Sequence, residues 1–314
     1  MGGSSAEHEV SLRSGEEILK YLDRDKYRVR SILISKKNEW FLDKRKVNAE
    51  EALGGVDVVF NAMHGEYGED GRAQAFLEHY GLPYTGSGVV ASVLGMDKFA
   101  SRTIFKSHGL HTPRTFRLTR REYKNAESGL LKNILHSLGK MPWVVKPCSR
   151  GSSVGVSVVK NDGSLRKACV GAFAFDDVIL IEERLNGTEI TIPILEIKRG
   201  KPESLPIIEI RPKGAEFFDY HEKYSESGAQ EIVPAEISRS SWIKTEKAAL
   251  AVHRLLGLRS YSRIDCILQR GVPYVLEANT LPGMTSASLF PKSAAAAGIA
   301  FPKLLDILIK NALE

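Results

Sequence analysis

Residues 263–280 read RIDCILQRGVPYVLEANT. Two strand-like runs, RIDCILQ and PYVLEANT, flank a glycine-containing turn, the signature of a β-hairpin. Alternation puts Arg263 and Asp265 on one face of the first strand, and Glu277 and Asn279 on one face of the second. With a three-residue loop, Arg270-Gly271-Val272, Asp265 lies opposite Glu277 and Arg263 opposite Asn279. A strict two-residue loop would throw the carboxylates to opposite faces. An odd loop or a bulge is therefore expected, and Gly271 suits either.

Facing carboxylates sit roughly 4.5–5.5 Å apart at Cβ and repel each other, so something must offset them. A hard divalent cation does so, with oxygen ligands at about 2.0–2.1 Å; Mg²⁺ on one or two carboxylates plus substrate phosphates is the common arrangement. Asn279 adds a neutral oxygen, and Arg263 a planar donor fork for phosphate oxygens. Read alone, the hairpin is equally a solvated turn with ordinary charges. The following LPGMTSAS (281–288) favours a site, because a glycine-rich loop exposes backbone N–H groups where an anion or oxyanion can sit.

Upstream, VVKPCSRGSSVGV (144–156) delivers Lys146 and a proline, then a loop holding Gly151, Ser152, Ser153 and Gly155. In the common phosphate loop the lysine follows the glycines; here it precedes them, so a different cradle is implied.

The 314 residues can bury a large core and form two or three subdomains. Lysine and arginine number 44 against 38 acidic residues, a net +6, but the basic residues are scattered. The densest run, KKNEWFLDKRK (36–46), is broken by Glu39 and Asp43 and reads as a solvated face, which ranks nucleic acid low. Cys148, Cys169 and Cys266 lack CxxC spacing and read as reduced thiols rather than a catalytic group. No apolar run approaches a membrane span, and MGGSSAEHEVS has no signal-peptide core; a soluble cytoplasmic protein is expected.

The first hundred residues alternate helix and strand signals. Ser11 or Ser14 can cap a helix through EEILKYL, and YRVRSILIS and VDVVFNAMHG read as strands, which suggests a βαβ layer with a mostly parallel sheet. After the helix MDKFASRTIFKSHG, ended by Gly109, come strands at VVKPC, VILIEER, EITIPILEI and SLPIIEI. Helices return at IKTEKAALAVHRLLG and FPKLLDILIKNAL. Compositional seams fall near residues 97 and 185.

GSSAEHEVS (3–11), HGEYGEDG (64–71), YTGSGVVASVLGMDK (84–98), VVKPCSRGSSVGV, FDYHEKY (218–224), RID and LEANTLPGMTSAS together resemble the D-alanine–D-alanine ligases of the ATP-grasp superfamily. The likeness runs from residue 3 to the last helix in the same order. It implies a mixed α/β ATP-grasp fold in three units: an N-terminal Rossmann-like pre-ATP-grasp domain (1–97), a central subdomain (98–185) and a C-terminal subdomain (186–314). It further implies cytoplasmic joining of two D-alanines through an acyl phosphate, for peptidoglycan, with ATP as co-substrate and a homodimer as the assembly.

Carried over onto matching positions, Lys98 and Lys146 bind ATP phosphates, and the loop with Ser153 covers them. Glu182, Glu183 and Leu185 read the adenine edge, Glu189 the ribose, and Phe217 packs on the base. Asp265, Glu277 and Asn279 hold two Mg²⁺ or Mn²⁺ ions. Glu7, rather than Glu9, takes the first D-alanine's ammonium, with Ser152 and Tyr224 bonded to it. His64, at a strand's C-terminal end where α/β sheets bind ligands, takes a substrate carboxylate. Lys223 and Ser288 take the acceptor carboxylate, and Arg263 with the Gly283 N–H holds the oxyanion. The Lys223-Tyr224 pair fits an amine acceptor; a D-alanine–D-lactate or D-serine ligase is the alternative. Family chains open with an apolar strand before their GG turn, whereas this sequence starts Met1-Gly2-Gly3. A sheet lacking its first strand is expected, with a start further upstream preferred and a catalytically impaired binding protein as the other outcome.

Overall fold

The computed structural model describes residues 1–125, 129–151, 154–212 and 229–314. In chain order the N-terminal part comprises α1 (His8–Tyr21), β1 (Ile32–Ile34), β2 (Trp40–Leu42), β3 (Arg45–Val47), α2 (Ala49–Leu53), α3 (Arg72–His79), α4 (Val89–Met96) and α5 (Lys98–Ser107). Its sheet corrects the expected parallel layer: β1, β2 and β3 pair antiparallel. Parallel contact is confined to the isolated bridges Gly2↔Ile34 and Val59↔Tyr84. The reason is local. Asp43 and Lys44, with φ of 49° and 66°, close a two-residue turn that joins only antiparallel strands. The basic run 36–46 is thus a hairpin, and most of it faces water.

Two further expectations shift here. The segment VDVVFNAMHG carries no strand beyond its one bridge, because Asn61 Oδ1 accepts from Met63 N at 3.1 Å and turns the chain. Beside it lies a cavity of about 820 Å³ lined by Ile18, Leu22, Ile32, Val58, Phe60 and Ala62. Ser11 and Ser14 do not cap α1, whose N-cap is Glu7. Both serines are buried inside the helix, where their hydroxyls hold the chain at His64 instead.

The middle of the chain gives β4 (Thr115–Thr119), α6 (Arg120–Lys124), α7 (Leu130–Leu138), β5 (Trp143–Pro147), β6 (Ser157–Val159), α8 (Asp162–Phe173) and β7 (Val178–Glu183). The sheet order is β4-β7-β5-β6, and α7 and α8 cover it. Trp143, Val145, Ile179 and Ile181 are fully buried between sheet and helices.

The last part gives β8 (Thr188–Lys198), β9 (Lys201–Ser204), β10 (Ile208–Arg211), β11 (Gln230–Ile232), α9 (Arg239–Leu255), β12 (Tyr261–Gln269), β13 (Val272–Asn279), α10 (Leu289–Ala296) and α11 (Phe301–Leu313). Its main sheet runs β11-β10-β8-β12-β13, with β9 beside β8. Helix α9 seals one face over Ile190, Ile192, Ile264, Cys266 and Val275. Helix α11 packs back onto α1, so the two chain ends share a core that includes Ile18, Leu22, Leu304 and Leu308. Among the described residues no helix is long and apolar enough to cross a membrane.

Candidate active site

The β12–β13 hairpin places the carboxylates as the site needs, by a route that alternation leaves open. Its turn has two residues, Arg270 and Gly271, both left-handed at φ of 52° and 74°. Gln269 pairs with Val272 and Cys266 with Val275, but Asp265 pairs with Glu277 and Arg263 with Asn279. Leu276 is the extra residue, so the bulge lies there and not at Gly271. The apolar face explains why. Val275 and Ala278 are both buried in the core, a spacing of three that only a bulge allows. Strict pairing from the same turn would drive the Glu277 carboxylate under α9, at a cost of several kcal/mol for an unpaired charge.

On the cavity side the two acids are held apart by cations. Asp265 accepts from Arg263 Nε and Nη2, each at 3.1 Å, from Asn279 Nδ2 at 3.0 Å and from Thr191 Oγ1 at 2.5 Å. Glu277 pairs with Lys98 Nζ at 3.0 Å, and Lys98 also donates to Arg150 O at 2.7 Å. Lys98 opens α5, capped by Asp97, whose Oδ1 accepts from Phe99 N and Ala100 N. Lys146, near the end of β5, pairs with Glu182 at 3.0 Å, and Glu182 pairs in turn with Arg102. Lys98, Lys146, Arg150, Glu182, Asp265 and Glu277 line a cavity of about 550 Å³ between the middle sheet and the last one, while Arg263, Asn279 and Thr191 are bonded to Asp265.

Glu182 and Lys146 titrate abnormally for identifiable reasons. Burial pushes the Glu182 carboxyl up, but Arg102 and Lys146 together outweigh it and hold it below the carboxylate range. Burial, with Arg102 close by, lowers the Lys146 ammonium to about 8, although Glu182 and Glu277 pull the other way. The two directions are compatible, since Glu182 faces two cations while Lys146 faces one of them as a competitor. Burial raises the Cys148 and Cys169 thiols to about 12 and about 11, and raises Cys266 as well. All three are buried and free, protonated at neutral pH, and unsuited to nucleophilic work.

Glu182, Glu183, Leu185 and Glu189, the residues expected at a nucleotide, all line the cavity. The two neighbouring carboxylates are already engaged, Glu183 accepting from Arg114 N and Nε at 2.8 Å each. At the other end Glu7 sits between two loops. A Cβ on Gly65 would stand 2.6 Å from Glu7 Oε2, and one on Gly151 3.7 Å from it. Glu9 points away and reaches Lys36 at 3.4 Å on the surface. His64 is buried, with Nε2 at 2.9 Å from Ser14 Oγ and Nδ1 at 3.4 Å from Glu69 Oε1. Ser288 stands at the N-cap position of α10, but its Oγ lies within hydrogen-bond distance of Thr285 N and Oγ1 rather than capping the helix. A Cβ on Gly283 would approach Ser288 Oγ to 2.8 Å, so a larger residue there would have to displace that hydroxyl. Ser152, Ser153, Phe217, Lys223 and Tyr224 lie outside the described residues.

The family model described as D-ala D-ala ligase C-terminus matches residues 104–310, and the corresponding N-terminus model matches residues 1–53 and 43–87. The chain belongs to the D-alanine–D-alanine ligase family. A D-alanine–D-alanine ligase of Clostridium beijerinckii is 40% identical over 315 residues, covering 100% of this chain and 97% of the relative. The crystal structure of the Bacillus anthracis ligase complexed with ATP superposes with a TM-score of 0.80 at 38% identity, covering 100% and 95%. The VanG D-Ala:D-Ser ligase of Enterococcus faecalis superposes with a TM-score of 0.85 at 28% identity, covering 99% and 97%. The fold is the mixed α/β ATP-grasp fold of these ligases.

Within this ligase fold the site gathers residues that motif reading passes over. Thr191 is fully buried opposite Asp265 in the β8–β12 register. Its signal is faint: one hydroxyl in the apolar run EITIPIL. Arg150 joins Glu66 across the loops, and Arg102 lies four residues beyond Lys98 on α5. That last spacing is legible, since positions four apart share a helix face.

Proposed function

We propose that this chain joins two D-alanines to D-alanyl-D-alanine at the expense of ATP, in the cytoplasm, as a step of peptidoglycan precursor synthesis. The observation that carries the reading is the convergence of Lys98, Lys146, Asp265 and Glu277 on one cavity, with Arg263 and Asn279 bonded to Asp265, in a chain of this family. The three units keep the bounds 1–97, 98–185 and 186–314, and a homodimer is the assembly.

A carboxylate resists attack by an amine until its charge is hidden in a leaving group. Phosphoryl transfer from ATP to the first D-alanine supplies one, as an acyl phosphate. The amine of the second D-alanine then attacks, and phosphate departs from a tetrahedral intermediate. The protein's part is positioning and charge stabilisation. Lys98 and Lys146 hold the phosphates; Glu182, Glu183 and Leu185 flank the adenine, Glu189 the ribose, with Phe217 and Ser153 closing over the nucleotide. Glu7 takes the donor's ammonium, supported by Ser152 and Tyr224, and His64 the substrate carboxylate. Lys223 and Ser288 orient the acceptor, while Arg263 and the Gly283 N–H face the oxyanion.

Two carboxylates and an amide on one face form a hard oxygen set that fits Mg²⁺ or Mn²⁺. Asp265, Glu277 and Asn279 would hold the two ions, which when bound neutralise charge on the transferring phosphoryl group. The positive charges that now balance these acids come from Arg263 and Lys98.

The decisive assay is phosphate release from Mg-ATP with D-alanine, against L-alanine, D-lactate and D-serine. D-alanine-dependent turnover is expected, and its absence overturns the reading. Since Lys146 grips phosphate only as an ammonium, kcat/KM for ATP should fall as pH rises past about 8. A profile flat to pH 10 would remove Lys146 from that role. Tyr224→Phe should erode the preference for D-alanine over D-lactate at neutral pH; an unchanged acceptor profile would leave the tyrosine without that function.

A further inference from the structure

We propose that Arg102 is a positioning residue of the nucleotide site, tying Glu182, and through it Lys146, to the bulged main chain that carries Glu277. This rests on the reading above that Lys146 and Glu277 serve the ATP phosphates. Arg102 follows Lys98 by one helical turn on α5 and is 4% exposed. Its Nε donates to Leu276 O at 2.7 Å. Leu276 is the residue that the bulge leaves without a partner on β12, so the guanidinium satisfies a carbonyl at the point that turns Glu277 toward Asp265. Nη1 of the same fork donates to Glu182 Oε1 and, at 3.3 Å, to Thr115 Oγ1. The other oxygen of Glu182 holds Lys146 Nζ at 3.0 Å.

One rigid planar group therefore fixes the distance between two arms of the site that come from different sheets: Lys146 and Glu182 from the middle one, Glu277 from the last. The geometry calls for arginine. Its donors leave at set angles within one plane, whereas an ammonium on a flexible stem is a point charge. Lysine could neutralise Glu182 or reach Leu276 O, but would not hold both in one orientation. Arg102 need not touch ATP for this role. Its effect passes through Lys146 and Glu277, which separates it from the groups assigned above.

The test compares Arg102→Met, Arg102→Lys and Lys146→Ala with the parent chain. Titration calorimetry with ATP in EDTA gives nucleotide affinity without metal. Steady-state assays with Mg²⁺ give kcat and the two KM values, and thermal melting reports folding. Arg102→Met is expected to weaken ATP in EDTA by about 10- to 100-fold and to raise KM for ATP while leaving KM for D-alanine within twofold, in the range that misplacing a positioned group produces. Arg102→Lys should recover the melting temperature more fully than the ATP affinity. ATP affinity within twofold of the parent in either folded variant overturns the proposal. So does a parallel rise of both KM values that tracks lost thermal stability. If Lys146→Ala itself binds ATP as the parent does, the site reading fails, and the inference with it.

Discussion

Glu277→Gln should lower D-alanine-dependent turnover by about 10³-fold while leaving the fold intact, a loss in the range for removing a preorganised electrostatic group. The side chain keeps its shape, and its position on β13 is set by the bulge and by Val275 and Ala278 beneath, none of which changes. What disappears is one negative charge opposite Asp265. Lys98 loses its ion-pair partner and keeps only the Arg150 carbonyl among the contacts described for its Nζ. The proposed Mg²⁺ site falls from two carboxylates to one, and an amide is a poorer ligand for a hard dication. Phosphate release under saturating ATP and D-alanine measures the effect, with circular dichroism as the control for folding. Turnover within threefold of the parent would show that the facing acids are not the catalytic pair.

Glu182→Leu carries the second large effect, this time on stability. Glu182, Arg102 and Lys146 are all nearly excluded from water, and the carboxylate is shared by both cations. Removing one partner of a buried ionic cluster costs about 3–5 kcal/mol, because the charges left behind keep their desolvation penalty. Urea denaturation should show that loss. Adding Arg102→Met to it should recover part of the stability, since an apolar replacement of both partners removes the stranded charge. ATP affinity should stay low in the double variant. The pH dependence has a fixed sign. The folded carboxyl lies below its ordinary value, so its contribution is present above the unfolded carboxyl's range and is lost as pH falls through the lower folded value. Glu182→Leu should abolish that acid limb; an unaltered limb would locate the acid sensitivity elsewhere.

Much of the molecule could be read from its amino acids. Asp265 and Glu277 could be expected on one face from the strands' period of two with an odd loop or a bulge between them, and it is the bulge that puts them there. The lysines follow a helix cap and a strand end, MDK and VVKP, that are local features. The helices of the last third kept their places because a 3.6-residue apolar stripe needs only its own sequence to be visible.

Other features belong to contacts between distant segments. A bulge at Leu276 rather than an odd loop at Gly271 was chosen by the core under α9, which needs Val275 and Ala278 together. The antiparallel sheet near the N-terminus, by contrast, was decided locally, by a left-handed Asp43-Lys44 turn inside a stretch that charge alone marks only as solvated. Ser11 and Ser14 look like caps in sequence, but His64, 53 and 50 residues further on, claims them. Sequence thus determined which chemical groups this protein carries and the period on which they repeat, because propensity and alternation are properties of neighbours. Only the tertiary structure decided which of those groups meet, because burying a charge is tolerable only where a partner from another segment arrives to balance it.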